Sequence, residues 1–126
     1  MDIEKIDHVA IRVRDKEKAC KLFADLFGMQ FFEFESEELD IKSAIGPPGI
    51  EIIEPLTPDG ITSRIMERHG EGLTLLSLKV PNLDEAVAEM KDHGIRLVNR
   101  LEVGELKIAI FHPEDTYGAT IELIEY

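Results

Sequence analysis

Ile6-Asp7-His8-Val9-Ala10-Ile11-Arg12-Val13 aligns without a gap on Leu73-Thr74-Leu75-Leu76-Ser77-Leu78-Lys79-Val80. A second pair of segments matches further along each half: Gly49-Ile50-Glu51-Ile52-Ile53-Glu54 and Thr120-Ile121-Glu122-Leu123-Ile124-Glu125. The chain reads as a sequence followed by its near-copy. If the halves share one fold, a pseudo-twofold relates His8, Glu51, Leu75 and Glu122. His8, Glu51 and Glu122 are metal-ligand types at matched places. Leu75 breaks the pattern, because symmetry with His8 asks for a histidine there.

Working outward, both halves show the same order of elements. Residues 6–13 alternate apolar and polar side chains and are rich in branched ones, which predicts a strand. Asp15 is placed to cap a helix carrying Ala19, Leu22, Phe23, Leu26 and Phe27 at helical spacing, stopped by Gly28. Residues 30–35, 39–45 and 49–54 read as strands, with Gly46-Pro47-Pro48-Gly49 as the turn between the last two. The second half repeats this with a strand at 73–80 and a helix capped by Asn82. That helix carries Leu83, Ala86, Val87 and Met90, stops at Gly94, and is followed by strands at 95–99, 106–111 and 120–124. Between the halves, residues 57–60 form a turn and residues 61–69 a short helix ended by Gly70.

One βαβββ unit is too small to bury its own sheet face. The expected fold is α+β: two paired βαβββ modules forming a curved, cleft-bearing mixed sheet with the helices outside. This is a single domain, 1–126, made of modules 1–56 and 73–126 with a connector at 57–72. Strand alternation sets His8 with Ala10 and Arg12, Glu51 with Ile53, and Glu122 with Ile124 on faces turned to the cleft. A carboxylate facing the interior is costly unless paired or metal-bound, which marks Glu51 and Glu122. The competing reading pairs them with cations such as Arg12 or Lys107. Glu54 and Glu125 are also matched, but alternation turns them to the other face, where they read as solvated. His69, His93 and His112 read as helix-end or strand-end residues, and Cys20 as packing.

Composition narrows the class. The formal net charge of −12 argues against nucleic acid, which is bound by basic patches. No apolar run approaches the roughly 18 residues of a membrane span, so no membrane partner is expected. The polar, acidic start Met1-Asp2-Ile3-Glu4-Lys5 lacks a signal-peptide core. A single cysteine allows no internal disulfide and suits a reducing, cytoplasmic setting.

The pattern resembles the vicinal oxygen chelate superfamily, which includes glyoxalase I, extradiol dioxygenases, bleomycin-resistance proteins and methylmalonyl-CoA epimerase. The resemblance spans essentially the whole chain and is nearest to the epimerase branch. It is carried by Ile6-Asp7-His8-Val9-Ala10, by Ile50-Glu51-Ile52-Ile53-Glu54-Pro55-Leu56, by Glu67-Arg68-His69-Gly70-Glu71-Gly72-Leu73, and by Phe111-His112-Pro113 running on to Gly118-Ala119-Thr120-Ile121-Glu122-Leu123. It implies chelating positions at His8, Glu51 and Glu122. Leu75 stands where the family has its remaining histidine, and Thr74-Leu75 replaces the two adjacent histidines typical of epimerases. It also implies Glu122 as a catalytic base as well as a ligand. Counting back from Glu51, the partner base of some epimerases falls near Asp40, with Glu38 beside it.

One imidazole and two carboxylates make a hard, incomplete shell suited to a divalent ion such as Co, Mn, Zn, Ni or Mg, held weakly or absent. Such an ion polarises a carbonyl and favours loss of a proton from the adjacent carbon. The expected function is therefore a metal-dependent epimerase with a degenerate metal site, acting on an acyl-CoA or other carbonyl compound, in a homodimer. Two alternatives remain open: a metal-free small-molecule binding or resistance module, and a glyoxalase I-like lyase. Ring-cleaving dioxygenase chemistry needs the histidine that Leu75 replaces.

Overall fold

The computed structural model describes all residues, 1–126. In chain order the elements are β1 (Lys5–Arg12), α1 (Lys16–Phe27), β2 (Phe32–Ser36), β3 (Ile41–Gly46), β4 (Ile50–Pro55), α2 (Ile61–His69), β5 (Gly72–Lys79), α3 (Leu83–Asp92), β6 (Leu97–Val103), β7 (Leu106–Phe111), a 3-10 turn (Pro113–Thr116) and β8 (Thr120–Glu125). The order βαβββ occurs twice with α2 between, as the repeat predicts. The fold is α+β with strands of mixed direction. No helix is long and apolar enough to cross a membrane. The chain packs as two compact units, residues 10–73 and residues 1–9 with 74–126, and passes between them inside β1 and β5.

In the unit of residues 10–73, β2 pairs antiparallel with β3, and β3 with β4. The β3–β4 register sets Ile45 opposite Glu51 and Lys42 opposite Glu54. Gly46, at the end of β3, is required: a Cβ there would stand 2.1 Å from the Gln30 carbonyl oxygen. The Asp15 carboxylate accepts from the Lys18 amide at 3.0 Å and caps α1, which ends at Gly28 in the left-handed region, φ 64. Only part of the apolar stripe expected to face the core does so: Ala19 and Phe23 are half-buried. No residue of α1 is buried, and Leu22, Leu26 and Phe27 are 53%, 62% and 61% exposed. Helical spacing shows which residues share a face, not whether anything covers that face.

In the other unit, β5 runs parallel to β8, setting Leu75 opposite Thr120 and Ser77 opposite Glu122. β8 pairs antiparallel with β7, and β7 with β6. Asn82 caps α3 by accepting from the Glu85 amide at 3.1 Å. Here the helix does cover a core: Leu83, Ala86 and Val87 pack with Val80, Ala109, Phe111 and Leu123.

Three strands begin later than their composition suggests, and β2 starts at Phe32 and not at residue 30. Residues 37–40 are a turn, so β3 starts at Ile41 and not at residue 39. The Leu39 amide donates to Ser36 Oγ at 3.2 Å, and Asp40 has φ 54, which no strand residue adopts. β6 starts at Leu97 and not at residue 95. The Ile95 amide is taken by the Met90 carbonyl at the end of α3, and the Arg96 amide by Asp115 at 2.9 Å.

Candidate functional site

His8 lies on β1 and is buried, as are Ala10 and Arg12 on the same face. Asp7 precedes it in sequence, and its Oδ2 stands 2.8 Å from His8 Nδ1. Burial pushes the Asp7 carboxyl up, but hydrogen bonds from Tyr126 and His8 outweigh it and hold the group below the usual aspartate range. An ionised carboxylate only accepts, so Nδ1 carries the proton and Nε2 is left to act elsewhere. Nε2 is 3.4 Å from Glu122 Oε1. That same oxygen accepts the Ser77 hydroxyl at 2.6 Å, from the residue opposite Glu122 in the parallel β5–β8 register. Thus the structure brings His8 and Glu122 together and buries both. Leu75, on β5, is half-buried.

Glu51 lies in the unit of residues 10–73. It is buried on β4 and accepts the Ser43 hydroxyl at 2.7 Å. In the same unit Arg12 donates from Nε to the Gly70 carbonyl at 2.9 Å, and burial pushes its pKa down. Lys107, weighed as a cation for the interior carboxylates, donates to Glu125 at 2.9 Å.

Asp40 is buried and fully engaged. Its Oδ1 accepts from the Thr57 amide at 3.1 Å and the Thr57 hydroxyl at 2.7 Å. Its Oδ2 accepts from the Thr62 amide at 3.3 Å, in the first turn of α2. Gly60 lies directly beneath: a Cβ there would stand 1.7 Å from Oδ2. The carboxylate ties the 57–60 turn and the start of α2 to the turn before β3. Glu38 is exposed in that same turn.

Glu54 and Glu125, expected to be solvated, are instead anchors. Glu54 accepts the Lys16 amide at 2.9 Å and faces Lys42 at 3.5 Å. Glu125 accepts the Leu83 amide at 2.7 Å and pairs with Lys107. Each carboxylate takes the first amide of its unit's helix, an orphan donor at the positive end of the helix dipole. His112 accepts the Glu114 amide through Nδ1 at 3.3 Å, capping the 3-10 turn, and His69 is exposed in the last turn of α2.

Sequence reading did not find Asp7, Ser43, Ser77 or Tyr126. Asp7 carried a signal, being adjacent to His8. Ser77 and Ser43 acquire meaning only through strand register.

The donor chemistry can be tested against a divalent ion. Nitrogen and oxygen ligands at about 2.0–2.2 Å from one ion lie roughly 3–3.5 Å from each other. The 3.4 Å separation of His8 Nε2 and Glu122 Oε1 fits that spacing. The Asp7 contact supplies the outer carboxylate that metal-binding histidines commonly have. The pair therefore suits two positions of such an ion. No three His, Cys, Asp or Glu side chains are grouped to hold one.

Residues 7–111 match the family model of the glyoxalase/bleomycin resistance protein/dioxygenase superfamily, and the chain belongs to that superfamily. It is similar to the uncharacterized protein YqjC of Bacillus subtilis, 28% identical over 98% of this chain and 93% of that protein. It is also similar to the mitochondrial methylmalonyl-CoA epimerase of Mus musculus, 28% identical over 94% of this chain and 71% of that one. Among solved structures, the methylmalonyl-CoA epimerase of Mycobacterium tuberculosis superposes with a TM-score of 0.86 at 27% identity, over 98% of this chain and 88% of that one.

Proposed function

We propose that this protein is an epimerase of the methylmalonyl-CoA epimerase type, acting on an acyl-CoA or other carbonyl compound with an acidic proton beside the carbonyl. The observation that carries this reading is the buried His8–Glu122 pair, with Asp7 holding the outer end and Ser77 the inner end. Similarity to epimerases over nearly the whole chain supports it.

Glu122 is the base that takes the proton from the carbon. Ser77 fixes the carboxylate by donating its hydroxyl to Oε1. The lone pair of His8 Nε2, 3.4 Å from Glu122 Oε1, can share the proton once Glu122 has taken it. Inversion also needs a proton returned on the opposite face. Asp40, the place the family pattern gives for it, holds the 57–60 turn, so this reading leaves that proton to solvent. By the family pattern, a divalent ion would be held by His8 and Glu122 and would supply polarisation of the substrate carbonyl when bound.

The test is deuterium wash-in at the α-carbon of methylmalonyl-CoA in heavy water, followed by mass spectrometry with and without added Mn or Co. Exchange with the parent protein, lost in Glu122→Gln, is the expected result. Binding of the thioester with no exchange at high protein concentration would overturn it. That outcome would favour the binding-module reading, which Leu75 in the place of a ligand supports. The expected assembly is a homodimer, checked by a dimer mass in light scattering at micromolar concentration.

A further inference from the structure

We infer that Tyr126 is a positioning residue for His8, acting through Asp7. This rests on the assignment of His8 to the site above. Tyr126 follows β8 directly, and its phenol donates to Asp7 Oδ1 at 2.5 Å. The other oxygen of the same carboxylate faces His8 Nδ1 at 2.8 Å. A continuous line runs from Tyr126 through Asp7 and His8 to Glu122 and Ser77, all in one compact unit.

The physical argument concerns rotation. A carboxylate held at one oxygen turns about its Cβ–Cγ bond, and the imidazole bonded to it turns as well. A second hydrogen bond to the other oxygen removes that freedom. The plane of the His8 ring and the proton on Nδ1 are then fixed together, and Nε2 stays aimed at Glu122. The phenol itself is held. Lys79 Nζ lies 4.2 Å from the Tyr126 ring centroid and Lys5 Nζ 5.7 Å, within range of cation–π attraction. Lys79 is in turn paired with Glu4 at 3.2 Å. Lys5 also faces Asp7, but at 3.8 Å and from a largely exposed side chain, so it gives the carboxylate charge without direction.

Tyr126→Phe removes the hydroxyl and keeps the ring between its two lysines. Tyr126→Ala removes both, and Asp7→Asn weakens the acceptor at His8. The readout is the long-range proton–nitrogen spectrum of histidine-labelled protein, recorded where the His8 ring is neutral, with His8 assigned by its loss in His8→Asn. The parent should show Nδ1 protonated and Nε2 as the lone-pair nitrogen. Tyr126→Phe should move His8 towards a mixture of the two tautomers, and Asp7→Asn further still. A parallel Mn titration should show Tyr126→Phe weakening binding by about tenfold, the low end of what outer contacts to a metal-binding histidine contribute.

An unchanged His8 spectrum in Tyr126→Phe would overturn the inference. So would a change seen only in Tyr126→Ala, because then the ring and not the hydroxyl matters. If the parent binds no Mn while the tautomer still shifts in Tyr126→Phe, the metal reading of His8 fails and the positioning role of Tyr126 stands.

Discussion

Two glutamates at matched places of the repeat, Glu51 and Glu122, are buried to the same degree and each accepts one serine hydroxyl. The hydroxyls come from different places. Ser43 lies on β3, in the antiparallel hairpin that contains Glu51, whereas Ser77 lies on β5, the parallel neighbour of Glu122. The residue matching Ser77 is Ala10, and the residue matching Ser43 is Ile108. The contacts of the frame, by contrast, are duplicated. Val13 donates to the Ile53 carbonyl at 2.8 Å, and Val80 to that of Ile124 at 2.9 Å. Asp15 and Asn82 cap their helices in the same way. Glu54 with Lys42 holds α1, and Glu125 with Lys107 holds α3. The repeat keeps what builds each unit and varies what lines the polar site, so the two glutamates are free to differ in role.

The largest expected effect tests that difference. Glu122→Gln should lower exchange at the substrate carbon by about 10²–10⁴-fold, the usual span for a general base. Glu51→Gln should cost exchange less than loss of a general base does, under about 10²-fold. Equal losses would break the comparison.

A second contrast lies in the helices. Leu83 of α3 is fully buried, so Leu83→Ala should cost about 2–5 kcal/mol in urea unfolding. Leu26 in the last turn of α1 is exposed, so Leu26→Ala should stay within about 0.5 kcal/mol. Equal costs would show that α1 has a covered face in solution.

Leu75→His restores the symmetry with His8. It should tighten Mn or Co binding by at least about tenfold, since an inner ligand outweighs an outer contact. The variant should also melt higher with metal than without, by more than the parent does. Identical melts would mean that position 75 is no ligand place.

The smallest effect concerns the duplicated anchors. The Leu83 amide and Lys107 hold Glu125 below the ordinary glutamate value of 4.5. A carboxyl with a lowered folded-state pKa stabilises the fold above its ordinary value. That contribution is lost as pH falls through the lowered one. Glu125→Gln should therefore flatten the acid limb of a melting-temperature profile below about pH 4.5. A profile unchanged by the substitution would remove the anchor from the frame.

Most of the frame was legible. Periodicity placed the strands, and Asp15, Asn82, Gly28 and Gly94 marked helix ends, because caps act within a few residues of where they stand. His8 and Glu122 were picked out by residue type and matched position, and the structure pairs them. Asp40 was read from strand counting, which cannot foresee a turn with φ 54 or an acceptor claimed by Thr57 and Thr62. Glu54 and Glu125 were correctly turned away from the interior. Their helix amides come from residues 38 and 42 positions away, beyond any local pattern.

The sequence by itself determined the doubled βαβββ order, the helix caps, the superfamily and the residue types at the matched places. These follow from short-range periodicity, local hydrogen bonding and repetition, each readable within a few residues. Only the tertiary structure decided that Ser77 supplies its hydroxyl to Glu122, that Leu22, Leu26 and Phe27 of α1 stay exposed, and that Tyr126 closes on Asp7. Each of those depends on which segments meet after the chain has crossed many residues. Register and docking set that, and no local preference encodes them.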